Sequence, residues 1–158
     1  MLWVLRRERD DEGEAVHYTV LGMTAFGVTL DVFAARPGQG IDVAYTARRK
    51  HGHAPDWSLV AVLSGRHRLA SLYPPLAVEG DSAPGPGGGR RAKVYTVVGR
   101  WRWSGETIRE EEQAMSGDQA LGLVLRLLGE PEEIDFLVAF NGKVSTPVRS
   151  EHLPVNFL

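Results

Sequence analysis

The chemistry this chain could carry is concentrated between Lys93 and Gln113, KVYTVVGRWRWSGETIREEEQ. Arg100, Trp101, Arg102 and Trp103 alternate guanidinium groups with indoles, and the segment after Ser104-Gly105 carries Glu106, Glu110, Glu111 and Glu112. Indole faces stack on nucleic-acid bases while guanidinium groups hold phosphates, so an exposed strand of this kind is a platform for a single strand. Buried, the same rings are ordinary core residues and the arginines their solvated neighbours. The two-residue period of a strand puts Tyr95, Val97, Gly99, Trp101 and Trp103 on one face and Val94, Thr96, Val98, Arg100 and Arg102 on the other.

Other reactive groups are sparser. Arg48-Arg49-Lys50, followed by His51 and His53, reads as a basic loop leading to Trp57, and Arg66, His67 and Arg68 extend the same character. His51-x-His53-x-x-Asp56 sets two imidazoles near a carboxylate, a pairing that can share a metal ion. Gly52 and Pro55 inside it mark a plain surface loop, and no metal is expected. Gly85 to Arg91 lacks the Lys-Ser/Thr ending of a phosphate-binding loop, and proline at 86 removes an amide donor. With no cysteine there is no thiol nucleophile, thiolate site or disulfide, and no G-x-S-x-G elbow is present. Glu110 to Glu112 read as a solvated face.

Charge is unevenly distributed. Residues 36 to 103 hold eleven basic and four acidic residues, and the remainder seven and sixteen, so a net charge of −2 conceals a basic middle. That middle also holds Tyr45, Trp57, Tyr73, Tyr95, Trp101 and Trp103, while every phenylalanine lies outside it. A basic stretch rich in Trp and Tyr suits a polyanion with flat bases. No apolar run approaches the ~20 residues of a membrane span, and MLWVLRRERDDEGE meets charge too early for a signal region. The expected location is cytoplasmic, without membrane attachment.

The elements that must position these groups follow from pattern. Strands are predicted at Leu2–Arg7, Val16–Leu21, Val28–Ala34 and Ile41–Ala47, the last two as a hairpin across Arg36-Pro37-Gly38-Gln39-Gly40. A second hairpin, Trp57–Leu63 with Arg66–Tyr73, turns at Ser64-Gly65 and stops at Pro74-Pro75. A third turns at Ser104-Gly105, with Trp103 facing Glu106 and Trp101 facing Ile108, the alternative being a helix over Glu106–Met115, rich in good helix formers. The segment 79–91, seven of whose thirteen residues are Gly or Pro, is expected to be a flexible insertion within a single domain, 1–158. A helix follows over 118–128, capped by Ser116 and Gln119 and stopped by Gly129 and Pro131, apolar nearly all round. Ile134–Phe140 and Lys143–Arg149 form a last hairpin at Asn141-Gly142, its return demoted to an edge by Pro147.

The expectation is an α+β chain of antiparallel hairpins forming a curved sheet or open barrel, with one buried helix in the C-terminal half. The functional expectation is a small, non-catalytic single-stranded nucleic-acid-binding protein. Arg48, Arg49, Lys50, Arg66, Arg68, Arg100 and Arg102 would hold phosphates, with Trp57, Tyr73, Trp101 and Trp103 stacking on bases, and no cofactor is expected. The alternative is a protein-interaction or homo-oligomeric assembly subunit, joined through helix 118–128 and the apolar tail Leu153–Leu158. A metal-dependent enzyme using the His51/His53 loop ranks last.

Overall fold

The computed structural model describes residues 15–54, 56–80 and 91–153. The predicted first strand, the acidic turn after it, the Gly/Pro-rich stretch 81–90 and the tail 154–158 lie outside the described residues. In chain order the elements are β1 (Val16–Thr24), β2 (Gly27–Ala35), α1 (Gly40–Lys50), β3 (Ser58–Ser64), β4 (Leu69–Tyr73), β5 (Ala77–Gly80), β6 (Lys93–Trp101), β7 (Thr107–Ala114), α2 (Gly117–Leu128), β8 (Ile134–Asn141) and β9 (Val148–Arg149). The strands form a five-stranded sheet, β5-β2-β1-β3-β9, and a four-stranded sheet, β4-β8-β6-β7. Every pairing is antiparallel except that of β2 with β5.

Alternation along the strands sorts the apolar residues into three layers. Leu21, Leu30, Val60 and Leu63 of the first sheet meet Val98, Phe136, Val138 and Phe140 of the second. The opposite face of the first sheet, including Tyr18, Val20 and Val62, is covered by Val43, Ala44 and Ala47 of α1. The opposite face of the second, including Tyr95, Val97 and Ala139, is covered by Ala120, Leu121 and Val124 of α2. The result is a helix–sheet–sheet–helix sandwich of the α+β class, not a closed barrel.

There are two helices among the described residues rather than one. Ile41–Ala47, expected as a strand, lies in α1, because its buried positions Gly40, Val43, Ala44 and Ala47 follow the helical spacing i, i+3, i+4, i+7. Arg48, Arg49 and Lys50 form its last turn, where cations complement the helix dipole, and are not a loop. Two expected hairpins are also replaced by crossovers. β4 leaves β3 and pairs with β8, and β9 leaves β8 and pairs with β3. The hairpin of β6 and β7 is present with its register displaced by two residues, Arg100 facing Thr107 and Gly99 facing Ile108. A two-residue slip leaves every side chain on its expected face.

The crossovers expose an internal duplication. Tyr18-Thr19-Val20-Leu21-Gly22 in β1 matches Tyr95-Thr96-Val97-Val98-Gly99 in β6, and each segment is the middle strand of a β-β-α-β unit. The buried Thr19 hydroxyl donates to the Gly65 carbonyl at 2.7 Å and accepts from His67 N–H at 2.9 Å. Thr96 donates to the Gly142 carbonyl at 2.7 Å and accepts from Val144 N–H at 2.9 Å. Gly65 and Gly142 hold φ of 95° and 82°, a conformation that favours glycine at both turns. Each helix begins on a buried glycine, Gly40 against Pro147 and Val148, Gly117 against Ala70 and Ser71. The strand that follows each unit thus crosses to the other sheet, β4 to the second and β9 to the first, and each helix packs beside the strand contributed by the other half.

Candidate interaction surface at the hairpin tips

The end of the sandwich where β1 and β6 finish is fixed by hydrogen bonds between the sheets. Arg100 at the end of β6 donates through Nη1 to Ser58 Oγ at 2.8 Å, and Ser58 lies opposite Met23 near the end of β1. The same guanidinium donates twice to Asp135 Oδ2, at 3.0 and 2.6 Å, and lies 5.9 Å from the Phe136 ring. A half-buried arginine held so firmly is a structural tie.

Most of the sequence-predicted residues collect at or near this end, but not on one surface. Arg48, Arg49 and Lys50 end α1, behind the first sheet. Arg49 donates to Thr46 at 3.2 Å and Lys50 to Asp31 at 2.6 Å. Trp57 is 6% exposed, wedged against Gly22, with its Nε1 donating to Thr29 at 2.9 Å. Tyr73 and Trp101 pack partly buried against the α2 layer. Arg102 and Trp103 project at the β6–β7 turn, Trp103 being 82% exposed. Arg66 and Arg68 lie at the opposite end, just after Gly65, whose N–H binds the His17 carbonyl at 2.8 Å.

Of the possible metal ligands, His51 is buried with Nε2 2.6 Å from Asp31 Oδ2, and its ring stacks on Trp57 at 5.1 Å and 6°. His53 is exposed, and Asp56 accepts the Ala25 N–H. The three face different ways, and among the described residues no group of three or more potential ligands could hold an ion. Asp31, Lys50, His51, Trp57 and Thr29 instead lock the end of α1 onto β2 by paired charge and hydrogen bonding.

The residue that sequence reasoning missed is Phe26, 88% exposed at the β1–β2 turn. Counted from the matched glycines, Gly22 and Gly99, Phe26 and Trp103 hold the same place in their repeats, four residues on. The repeated Tyr-Thr-Val-x-Gly is the signal that would have found it. Both turns are pinned while their rings stand clear. Phe26 N–H donates to Thr24 Oγ1 at 3.1 Å and Ala25 N–H to Asp56. At the other turn Gly105 N–H donates to the Trp101 carbonyl at 3.0 Å, and Arg102 N–H to the Glu133 carbonyl at 2.7 Å. Comparison with protein-family models, curated proteins and solved structures finds no match for this chain. No described helix is long and apolar enough to cross a membrane.

Proposed function

We propose that this protein is a non-catalytic interaction module that engages a partner protein through its paired hairpin tips. The observation carrying this reading is the exposure of Phe26 (88%) and Trp103 (82%) at equivalent positions of the two repeats. Burying a large apolar side chain stabilises by roughly 1.5–3 kcal/mol, which a monomer forgoes at each ring. One stranded aromatic is unremarkable, but the same choice made twice, on backbones held by hydrogen bonds, supports a contact surface. Pinned loops also lower the ordering cost of binding.

The test is site-specific photocrosslinking from position 26 or 103 in cells that make the protein, with position 66 as the control at the far end. A partner identified there is then purified and titrated. Phe26→Ser/Trp103→Ser is expected to weaken the complex by about tenfold or more, as removal of central aromatic anchors does. Arg66→Ser/Arg68→Ser should leave affinity intact. Equal crosslinking from both ends, or a complex indifferent to the double variant, would overturn the reading.

A single-stranded nucleic acid is the second reading. Favouring it is the exposed Trp103 beside Arg102, an arginine for which no carboxylate partner occurs among the described residues. Its test is quenching of Trp103 emission by oligothymidine at low salt, lost in Trp103→Phe.

A further inference from the structure

We infer that the partner seated on the hairpin tips is a positively charged protein segment bearing apolar side chains. The inference rests on the interaction reading above and names the chemistry of its ligand. The apolar anchors are Phe26 and Trp103, on two turns at the same end of the sandwich, and the surroundings of the Trp103 turn decide which occupant suits it.

Among the described residues about that turn, carboxylates predominate. Glu106 is exposed within the turn itself. Glu130, Glu132 and Glu133 are exposed in the segment that approaches it, where the Glu133 carbonyl takes the Arg102 N–H at 2.7 Å. Arg100 is committed to Asp135 and Ser58, which leaves Arg102 beside these carboxylates. The Glu133 carboxyl is pushed above its usual range by a hydrogen bond with Glu130, then by the Glu130 charge, desolvation and the Glu132 charge, so the local field already favours holding a proton. At the Phe26 turn the Asp56 carboxylate takes the Ala25 N–H, and Glu79 lines the same cleft as Phe26.

Such a rim discriminates among occupants. Phosphates and anionic lipid headgroups are repelled by the carboxylates, and a second copy approaching tip to tip would set like charge against like. A cationic segment is steered in by the same field, and its apolar side chains can close on the two rings. Steering by exposed charge weakens with salt, whereas the aromatic contact does not.

The test uses the full chain and three short labelled peptides with identical leucine positions and all intervening residues Lys, Ser or Glu. Fluorescence anisotropy is expected to give about tenfold tighter binding of the Lys peptide than the Ser peptide, and no binding of the Glu peptide, the preference shrinking with added salt. Glu130→Gln/Glu132→Gln/Glu133→Gln should erase the Lys preference and leave Ser-peptide binding unchanged. Phe26→Ser/Trp103→Ser should weaken both. Equal binding of Lys and Ser peptides, both lost in the double variant, overturns the charge inference and leaves the interaction reading standing. Peptide binding indifferent to Phe26→Ser/Trp103→Ser overturns the interaction reading as well. Absence of peptide binding, or tighter binding of oligothymidine or phosphatidylglycerol vesicles, overturns the inference.

Discussion

Thr19 and Thr96 show what a single residue type does twice in this molecule. Each buried hydroxyl closes the turn after the third strand of its unit by donating to a glycine carbonyl and accepting one amide. Valine would fill the same volume and leave both backbone groups unpaired, at about 1–3 kcal/mol per group. Thr19→Val and Thr96→Val are therefore each expected to lower stability by roughly 2–6 kcal/mol, and by similar amounts, in urea denaturation. A cost at one site alone would break the equivalence of the halves. Glu133 makes a second prediction at this scale. Its raised pKa means that the folded chain holds the proton more tightly than the unfolded one, so stability falls as pH rises through the carboxylate range. Glu133→Gln should melt above the parent at pH ~7, the difference vanishing near pH ~3 where both side chains are neutral. Of the candidate surface, Arg102 and Trp103 are legible from composition and alternation, whereas Trp101 packs against the α2 layer. Phe26 is not legible, because one aromatic in a short turn has no local signature. The burial of Trp57 is illegible for the complementary reason that nothing near it in sequence shows that Gly22 leaves room for its indole.

At the scale of elements, what the sequence disclosed depended on how local the determining contacts are. α2 could be read in advance because its signals lie within it: Ser116 Oγ accepts the Gln119 N–H at 3.1 Å, and Gly129 ends it at φ 72°. α1 has the pattern of a strand because Ile41, Val43, Tyr45 and Ala47 alternate, while the helical set Gly40, Val43, Ala44 and Ala47 shares two of those positions. The crossovers of β4 and β9 leave no local signal, because turn chemistry at Gly65 and Gly142 reports only that the chain turns, not which strand it then meets. The helical glycines separate local from tertiary effects. A Cβ at Gly122 would meet no heavy atom within 4 Å, so Gly122→Ala is expected to stabilise by about 1 kcal/mol through helix propensity. At Gly117 the same atom would lie 3.0 Å from Ser71 Cβ and 3.1 Å from the Ala70 carbonyl carbon. The propensity gain there is opposed by overpacking of roughly 1–3 kcal/mol, so Gly117→Ala should be neutral or destabilising. Thermal melts of the two variants decide it, and equal stabilisation would show that α2 is free to move off β4.

At the scale of the whole molecule, the exchanged strands make the two repeats depend on each other. β4 belongs by sequence to the first half and completes the second sheet, and β9 does the reverse. The layer between the sheets is built from both, Leu21 and Leu63 packing with Phe136 and Phe140. Removing one half would leave the other without an edge strand and with one sheet face bare. Neither half should therefore unfold alone, despite the duplication that gives each its own helix and outer core. Trp57 reports on the first half, where it packs in the α1 layer, and Trp101 on the second, where it packs against the α2 layer. Variants retaining only one or the other of these tryptophans are expected to show coincident urea transitions by fluorescence, matching the loss of helical circular dichroism, as a two-state domain does. Separate midpoints, after allowing for the stability of each variant measured by dichroism, would mean that the exchanged strands do not couple the halves. A strand-exchange test sharpens this. Val148→Asp in β9 puts a charge at a buried position beside Val62, and although Val148 belongs to the second half in sequence, the loss should appear in the Trp57 signal together with that of Trp101.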